Sequence, residues 1–213
     1  MAAKRYPYAV HPAVAYTQAI VDNLKARTGR DLEAWLAHAR QAGPRDGKAL
    51  PAWLRAEGLG GTQAAVVAER AAKVGSHAFF EDTPEGYLQA AEAYVEALFA
   101  GPKAGLMPLF EALMDLGLSL GQDVKACPCK TFVPLYRNHV FAQIKPSART
   151  RVDLGLALGD PANIKDPGGR LLGTGGFAKK DRITHRLALA RPEDVDGAVS
   201  AWLRQAYDRD ARA

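Results

Sequence analysis

The hydrophobic period of this chain changes once, at Gly121, and that change limits the fold more than any other feature. Before it, apolar residues recur at helical spacing, about every 3.6 residues. Ile20, Val21 and Leu24 share one stripe, Leu32, Trp35, Leu36 and Ala39 a second, and Leu50, Trp53 and Leu54 a third. After Gly121 the period falls to about 2, the alternation of a strand with one covered face. Val140, Ala142 and Ile144 alternate with His139, Phe141, Gln143 and Lys145. Val152, Leu154, Leu156 and Leu158 alternate with Arg151, Asp153, Gly155 and Ala157. Ile183, His185, Leu187 and Leu189 alternate with Thr184, Arg186 and Ala188. A chain that switches period once keeps its helices apart from its strands, so the fold class is α+β.

Breaker residues set the expected boundaries. Residues 1–16 contain Pro7 and Pro12 and no helical period, and read as an N-terminal arm. Residues 17–74 read as a small helical domain of about four helices. Thr17 caps the first and Gly29 ends it; Asp31 caps the second, which stops at Gly43-Pro44. Pro51 lies in the first turn of the third, where proline is tolerated, and the fourth runs from Thr62 to Val74. Trp35 and Trp53 fall on the apolar stripes and read as core anchors. Residues 75–86 read as a linker. Residues 87–213 read as an α+β domain: two helices, then an antiparallel four-stranded sheet whose first strand lies near Lys125–Tyr136, with helices on one face. The Gly/Pro-rich segment Gly159–Gly176 interrupts the sheet before its last strand, and a final helix begins at Pro192-Glu193-Asp194.

Composition narrows the class. With 48% hydrophobic and 24% charged residues the chain is ordinary globular material, and no apolar run approaches the roughly 18–20 residues that span a bilayer. The start, with Lys4, Arg5 and Tyr6-Pro7-Tyr8, lacks the apolar core of a secretory signal. Two cysteines cannot staple a fold of this size and suit a reducing compartment, so a cytoplasmic protein is expected. The basic character is concentrated. Residues 125–191 hold 13 Lys/Arg against 4 Asp/Glu, whereas residues 1–124 hold 12 against 14. A field so localised points to an anionic partner, though a merely solvated basic surface would look the same.

Four motifs bear on chemistry. Gly58-Leu59-Gly60, followed by Ala64 and Val67, has the spacing of a helix-hairpin-helix element. Gly58 and Gly60 would let the backbone approach a phosphate; the alternative is a tight turn between two helices. Cys127-Pro128-Cys129 lacks the further ligands zinc needs, His139 being the only one near in sequence, so no metal is expected. The segment Gly168–Lys180 joins flexible glycines to Lys179 and Lys180, yet it is neither a P-loop nor a dinucleotide fingerprint, and no cofactor is implied. It reads as a mobile surface loop or a phosphate cradle. His185 sits on the apolar side of its strand as a core histidine, and Asp153 and Asp181 read as salt-bridge partners. No catalytic constellation emerges, and whether the chain is an enzyme stays open.

Two stretches resemble known families. Residues 17–74, with Asp22-Asn23-Leu24-Lys25, Leu32-Glu33-Ala34-Trp35-Leu36, Ala52-Trp53-Leu54 and Gly58-Leu59-Gly60, resemble the small helical domain of unknown function 4287. Residues 84–208, with Pro128-Cys129-Lys130-Thr131-Phe132-Val133-Pro134, Phe141-Ala142-Gln143-Ile144-Lys145-Pro146 and Lys179-Lys180-Asp181-Arg182-Ile183-Thr184-His185-Arg186, resemble the domain of unknown function 5655. The resemblance implies two modules and carries no activity or site residues.

The functional expectation therefore rests on charge. On the sheet face opposite the aliphatic side the alternation places His139, Phe141, Lys145, Arg151 and Arg186, with Lys179, Lys180 and Arg182 on the neighbouring loop. A basic face with an interleaved aromatic suits DNA or RNA, by phosphate neutralisation and base stacking. The competing reading is an enzyme or sensor for a small phosphorylated or carboxylated ligand, bound between the sheet and the Gly168–Lys180 loop. A third is a homodimer that buries the same face.

Overall fold

Proline, expected to mark an arm without structure, starts the first helix. In the computed structural model, which describes residues 4–72 and 83–211, α1 (Pro12–Thr28) begins five residues ahead of Thr17. His11 is its cap, Nδ1 accepting the Ala13 N–H at 3.1 Å, and Pro12 at the first position gives up only an N–H that would have no helical partner. Gly29 closes the helix at φ 78°, and Asp31 caps α2 (Leu32–Ala42) by accepting the Ala34 N–H at 3.0 Å. With α3 (Leu50–Ala56) and α4 (Gly61–Ala72) these enclose one core of Leu24, Trp35, Leu50, Leu54, Leu59, Ala64, Val67 and Ala68. Trp35 is buried and its indole N–H donates to Thr28 Oγ1 at 2.8 Å, a structural anchor.

The chain divides into a helical unit, Val10–Ala90, and a sheet unit made of Met1–Ala9 and Ala91–Ala213. The boundary falls inside α5 (Pro84–Leu98). Of the expected linker 75–86, residues 75–82 lie outside the described ones, and Pro84, Glu85 and Gly86 form the first turn of α5. No helix among the described residues is long and apolar enough to cross a membrane.

In the sheet unit α6 (Met107–Leu118) is followed by six antiparallel strands, so the chain is α+β with two more strands than the alternation predicts. The expected first strand is a hairpin, β1 (Lys125–Ala126) and β2 (Val133–Tyr136), because the chain reverses at Lys130-Thr131 and the Cys129 N–H donates to the Phe132 carbonyl at 2.9 Å. β3 (Val140–Ala148) and β4 (Arg151–Leu156) follow; β5 (Leu171–Gly173) lies within the Gly/Pro-rich segment, and β6 (His185–Leu189) pairs between β4 and β5. Register puts Val133, Ile144, Leu154 and Leu187 in one row and Leu135, Ala142, Leu156 and His185 in the next, all buried. The last helix, α7 (Gly197–Asp210), starts later than Pro192: a short 3₁₀ turn at Pro192–Asp194 precedes it, and Asp196 caps it by accepting the Ala198 and Val199 N–H groups. Its Val199, Leu203, Ala206 and Tyr207 join the same core as the sheet rows.

The N-terminal residues complete this unit. Tyr8 bridges Ala126 in parallel, and the Ala9 N–H donates to the Ala126 carbonyl at 3.0 Å, covering part of the β1 edge. Tyr6, only 8% exposed, stands edge-on to Phe110 and donates its hydroxyl to the Glu111 carbonyl and Asp115, while the Lys4 ammonium pairs with Asp115. Tyr6→Ala is therefore expected to destabilise the protein by about 3 kcal/mol, as for other buried aromatics. Urea unfolding checks this, and an unchanged midpoint would mean that the strap lies outside the cooperative core.

Candidate functional site

Two acids, Asp153 and Asp210, engage four of the basic side chains expected to bind: Arg151, Arg186, Arg182 and His139. On the face opposite the aliphatic rows, Asp153 Oδ1 lies 3.0 Å from Arg151 Nε and 3.1 Å from Arg186 Nη1. Lys145, the cross-strand partner of Asp153, is exposed beside them. This is the salt-bridge role the sequence assigned to Asp153, and it answers two of the three cations expected to bind there. Asp181 differs: its carboxylate accepts the Ile183 N–H at 3.2 Å.

The second acid is Asp210, at the end of α7 and 1% exposed. Its Oδ2 accepts the N–H groups of Asn138 and His139, both at 2.9 Å, and its Oδ1 pairs with Arg182 Nη2 at 2.5 Å and His139 Nδ1 at 3.3 Å. His139 and Arg182 thus gather around Asp210 at the β2–β3 turn, apart from the Lys145–Arg151–Arg186 group.

Phe141 is not on the basic face. The β2–β3 register shifts between Leu135↔Ala142 and Tyr136↔Val140, leaving Phe141 as the extra residue of a bulge. A bulge turns its extra side chain toward the side of its neighbour. Phe141 is 0% exposed and stands edge-to-face with Tyr207 of α7 at 5.6 Å between ring centroids. Strict alternation put it on the wrong side, and it offers no ring to a partner.

Lys180 and Arg182 do converge, on a cleft of about 530 Å³ in the sheet unit. Its walls are Ala157, Gly159, Phe177, Ala178, Lys180, Asp181, Arg182, Thr184 and Arg209. Gly159, at φ 84°, lets the Arg209 guanidinium lie over the backbone where any Cβ would collide with it. Lys180 and Arg209 form no ion pair among the described residues. Lys179, the last residue of the neighbouring 3₁₀ turn, is exposed and lies outside the cleft lining.

The loop bearing these residues carries hydrogen bonds both within itself and to the residues that precede β6. Thr174 N–H donates to the Thr184 carbonyl and Thr174 Oγ1 to the Ile183 carbonyl. The Gly176 carbonyl takes the Lys179 and Asp181 N–H groups, and Lys180 N–H closes on Phe177. Lys180 is held at φ 59°, the only non-glycine among the described residues with positive φ. At the inner wall the Thr184 hydroxyl accepts the Gly159 N–H at 3.1 Å and bonds His185 Nδ1 at 2.9 Å, so it is engaged on both sides.

Sequence reasoning missed Phe177 and Arg209. Phe177 is 48% exposed, an aromatic placed among glycines and lysines, which is the signal that marks it. Arg209 lies beyond the basic stretch, and only the packing of α7 brings it to the cleft.

The remaining motifs resolve into structure. Gly58, at φ 105°, turns α3 into α4; its N–H goes to the Arg55 carbonyl and that of Gly60 to Gln63 Oε1 at 3.0 Å. The Gly58 and Gly60 N–H groups are thus engaged within the turn itself. Cys127 and Cys129 are buried and burial pushes both thiols up to about 12, so neither is a thiolate at neutral pH. No cluster of three or more His, Cys, Asp or Glu suited to a metal ion occurs among the described residues.

The model of a family described as a domain of unknown function, DUF5655, matches residues 95–210, more than half of the chain. The chain belongs to this family. The DUF5655 span takes in α6, the six strands and α7, and every residue of the cleft. No curated protein and no solved structure matches the chain significantly.

His185 gives this DUF5655 fold an acid sensitivity. Burial holds its imidazole below the usual value of 6.5, so the unfolded chain takes up the proton first as pH falls. Its contribution is intact above about pH 6.5 and declines below it. Between pH 8 and 5 the urea midpoint of the parent should fall further than that of His185→Gln; equal slopes would remove His185 as the cause.

Proposed function

We propose that this chain binds a small anionic ligand, phosphorylated or carboxylated, in the cleft of the sheet unit. The observation that carries the reading is that Lys180, Arg182 and Arg209 all line one cleft, two of them without an acid partner among the described residues. Cations lining a cleft focus their field and raise the local concentration of anions. About 530 Å³ is within the range of small-molecule sites, and a hydrogen-bonded loop loses little freedom when a ligand arrives.

Nucleic acid is the second reading, favoured by the concentration of 13 Lys/Arg in residues 125–191 and by the exposed Lys145 beside Arg151 and Arg186. It ranks second because Asp153 engages both arginines and Phe141 is buried. A homodimer through the same face belongs with it as a use of that surface. We further read the helical unit as a domain of the 4287 type, on its motifs alone, and the two free cysteines as fitting the cytoplasm.

Calorimetric titration of the whole protein with pyrophosphate, citrate and short single- and double-stranded oligonucleotides at several salt concentrations separates the readings. We expect pyrophosphate or citrate to bind, Lys180→Glu and Arg209→Glu to weaken that binding about tenfold or more, and Lys145→Glu with Arg151→Glu to leave it unchanged. Oligonucleotide binding that weakens with salt at about −0.9 per contact on duplex, and is lost in the Lys145/Arg151 variant alone, would favour the sheet face. Binding by none of these probes would overturn both.

A further inference from the structure

We infer that the ligand of the cleft is a nucleoside phosphate, its phosphate held by Lys180, Arg182 and Arg209 and its base laid on Phe177. The inference rests on the anionic-ligand reading of the same cleft and adds the class of the ligand's uncharged part. Two large apolar side chains of the sheet unit are markedly exposed, Leu172 at 42% and Phe177 at 48%, and of these only Phe177 lines the cleft. An aromatic ring left half in water forgoes a sizeable burial gain, which a ligand with a flat apolar face would recover.

The backbone that carries the ring is hydrogen-bonded. Phe177 opens a 3₁₀ turn, Phe177–Lys179, whose ends are fixed by the Gly176 and Phe177 carbonyls accepting from Lys179, Asp181 and Lys180. The same turn therefore sets the backbone at both Phe177 and Lys180. Arg209, also in the lining, rests over Gly159, and Arg182 is paired with Asp210. Guanidinium groups suit a phosphate because their planar fork donates two parallel hydrogen bonds. Asp181 and Thr184 are the other polar lining residues, and the Thr184 hydroxyl is already engaged.

A ring that only stacks discriminates weakly among bases, since each presents a π face, so the site selects for the presence of a base more than its identity. Phosphate monoesters of this kind come as free mononucleotides or as the phosphorylated end of a strand, and the chemistry recognised is the same.

The test is titration of the full-length protein with adenosine and uridine monophosphates, ribose 5-phosphate, and a short oligonucleotide with and without a 5′-phosphate. Both mononucleotides should bind about tenfold or more tighter than ribose 5-phosphate. Phe177→Ala should erase that difference while leaving ribose 5-phosphate binding intact, and Phe177→Trp should restore it. Arg209→Glu should weaken mononucleotides and ribose 5-phosphate together. Equal or tighter binding of the 5′-phosphorylated strand, lost without its phosphate, assigns the site to strand ends; binding of mononucleotides alone assigns it to the free compounds. If mononucleotides and ribose 5-phosphate bind the parent equally, the nucleoside reading fails and the anion reading stands. If no phosphate compound binds while circular dichroism shows the parent folded, both fail.

Discussion

Asp210 is where the sheet unit is fastened. A carboxylate almost wholly removed from water would be costly unless every oxygen were answered, and here both are. Two backbone N–H groups of the β2–β3 turn meet Oδ2, and Arg182 with His139 meets Oδ1. One side chain thus joins the end of α7, the turn that precedes β3 and the segment that leads into β6. Arg209, its neighbour, is carried to Gly159 by the same helix end. Through Arg182, which lines the cleft, this carboxylate is tied to the cleft as well.

That dependence explains which parts of the molecule could be read from residue order. Period alone assigns Ile144, Leu154 and Leu187 to the covered face, because strand side chains alternate whatever the partner strand is. Asp31 and Gly29 were legible for a similar reason: capping is a local affair between a side chain or a φ angle and the next turn. Phe141 was not, since a bulge exists only relative to a second strand and leaves no mark on the bulged one. β5 escaped because three residues, one of them glycine, are too few to show a period. Pro12 misled because proline both breaks helices and begins them, and the sense depends on which residue follows.

The charge distribution tells a comparable story. Along the chain the basic stretch is one block; in space Arg151 and Arg186 meet Asp153, Arg137, Arg170 and Arg191 meet Asp123, Asp196 and Asp194, and Lys180 and Arg182 face the cleft. Net charge per segment indicated that an anion was a sensible partner for the unit, but only the pairing of Arg151 and Arg186 with one acid showed which cations keep their field. The aromatic that sits beside the remaining cations is Phe177, thirty-six positions from the one that alternation suggested.

The bridge between Tyr8 and Ala126 bears on how the protein is made. On the ribosome Tyr6 and Tyr8 are made early, yet Phe110 and Ala126, against which they rest, are translated over a hundred residues later. During that interval Tyr6 lacks Phe110, Glu111 and Asp115, while the helical unit is made and can close its own core. The sheet unit must then recapture the beginning of the chain across a long loop, a step whose entropic cost grows only slowly with loop length but which local contacts cannot hasten. A fragment cut at residues 95–210 would keep every strand and yet begin life without the tyrosine that seals one end of its core.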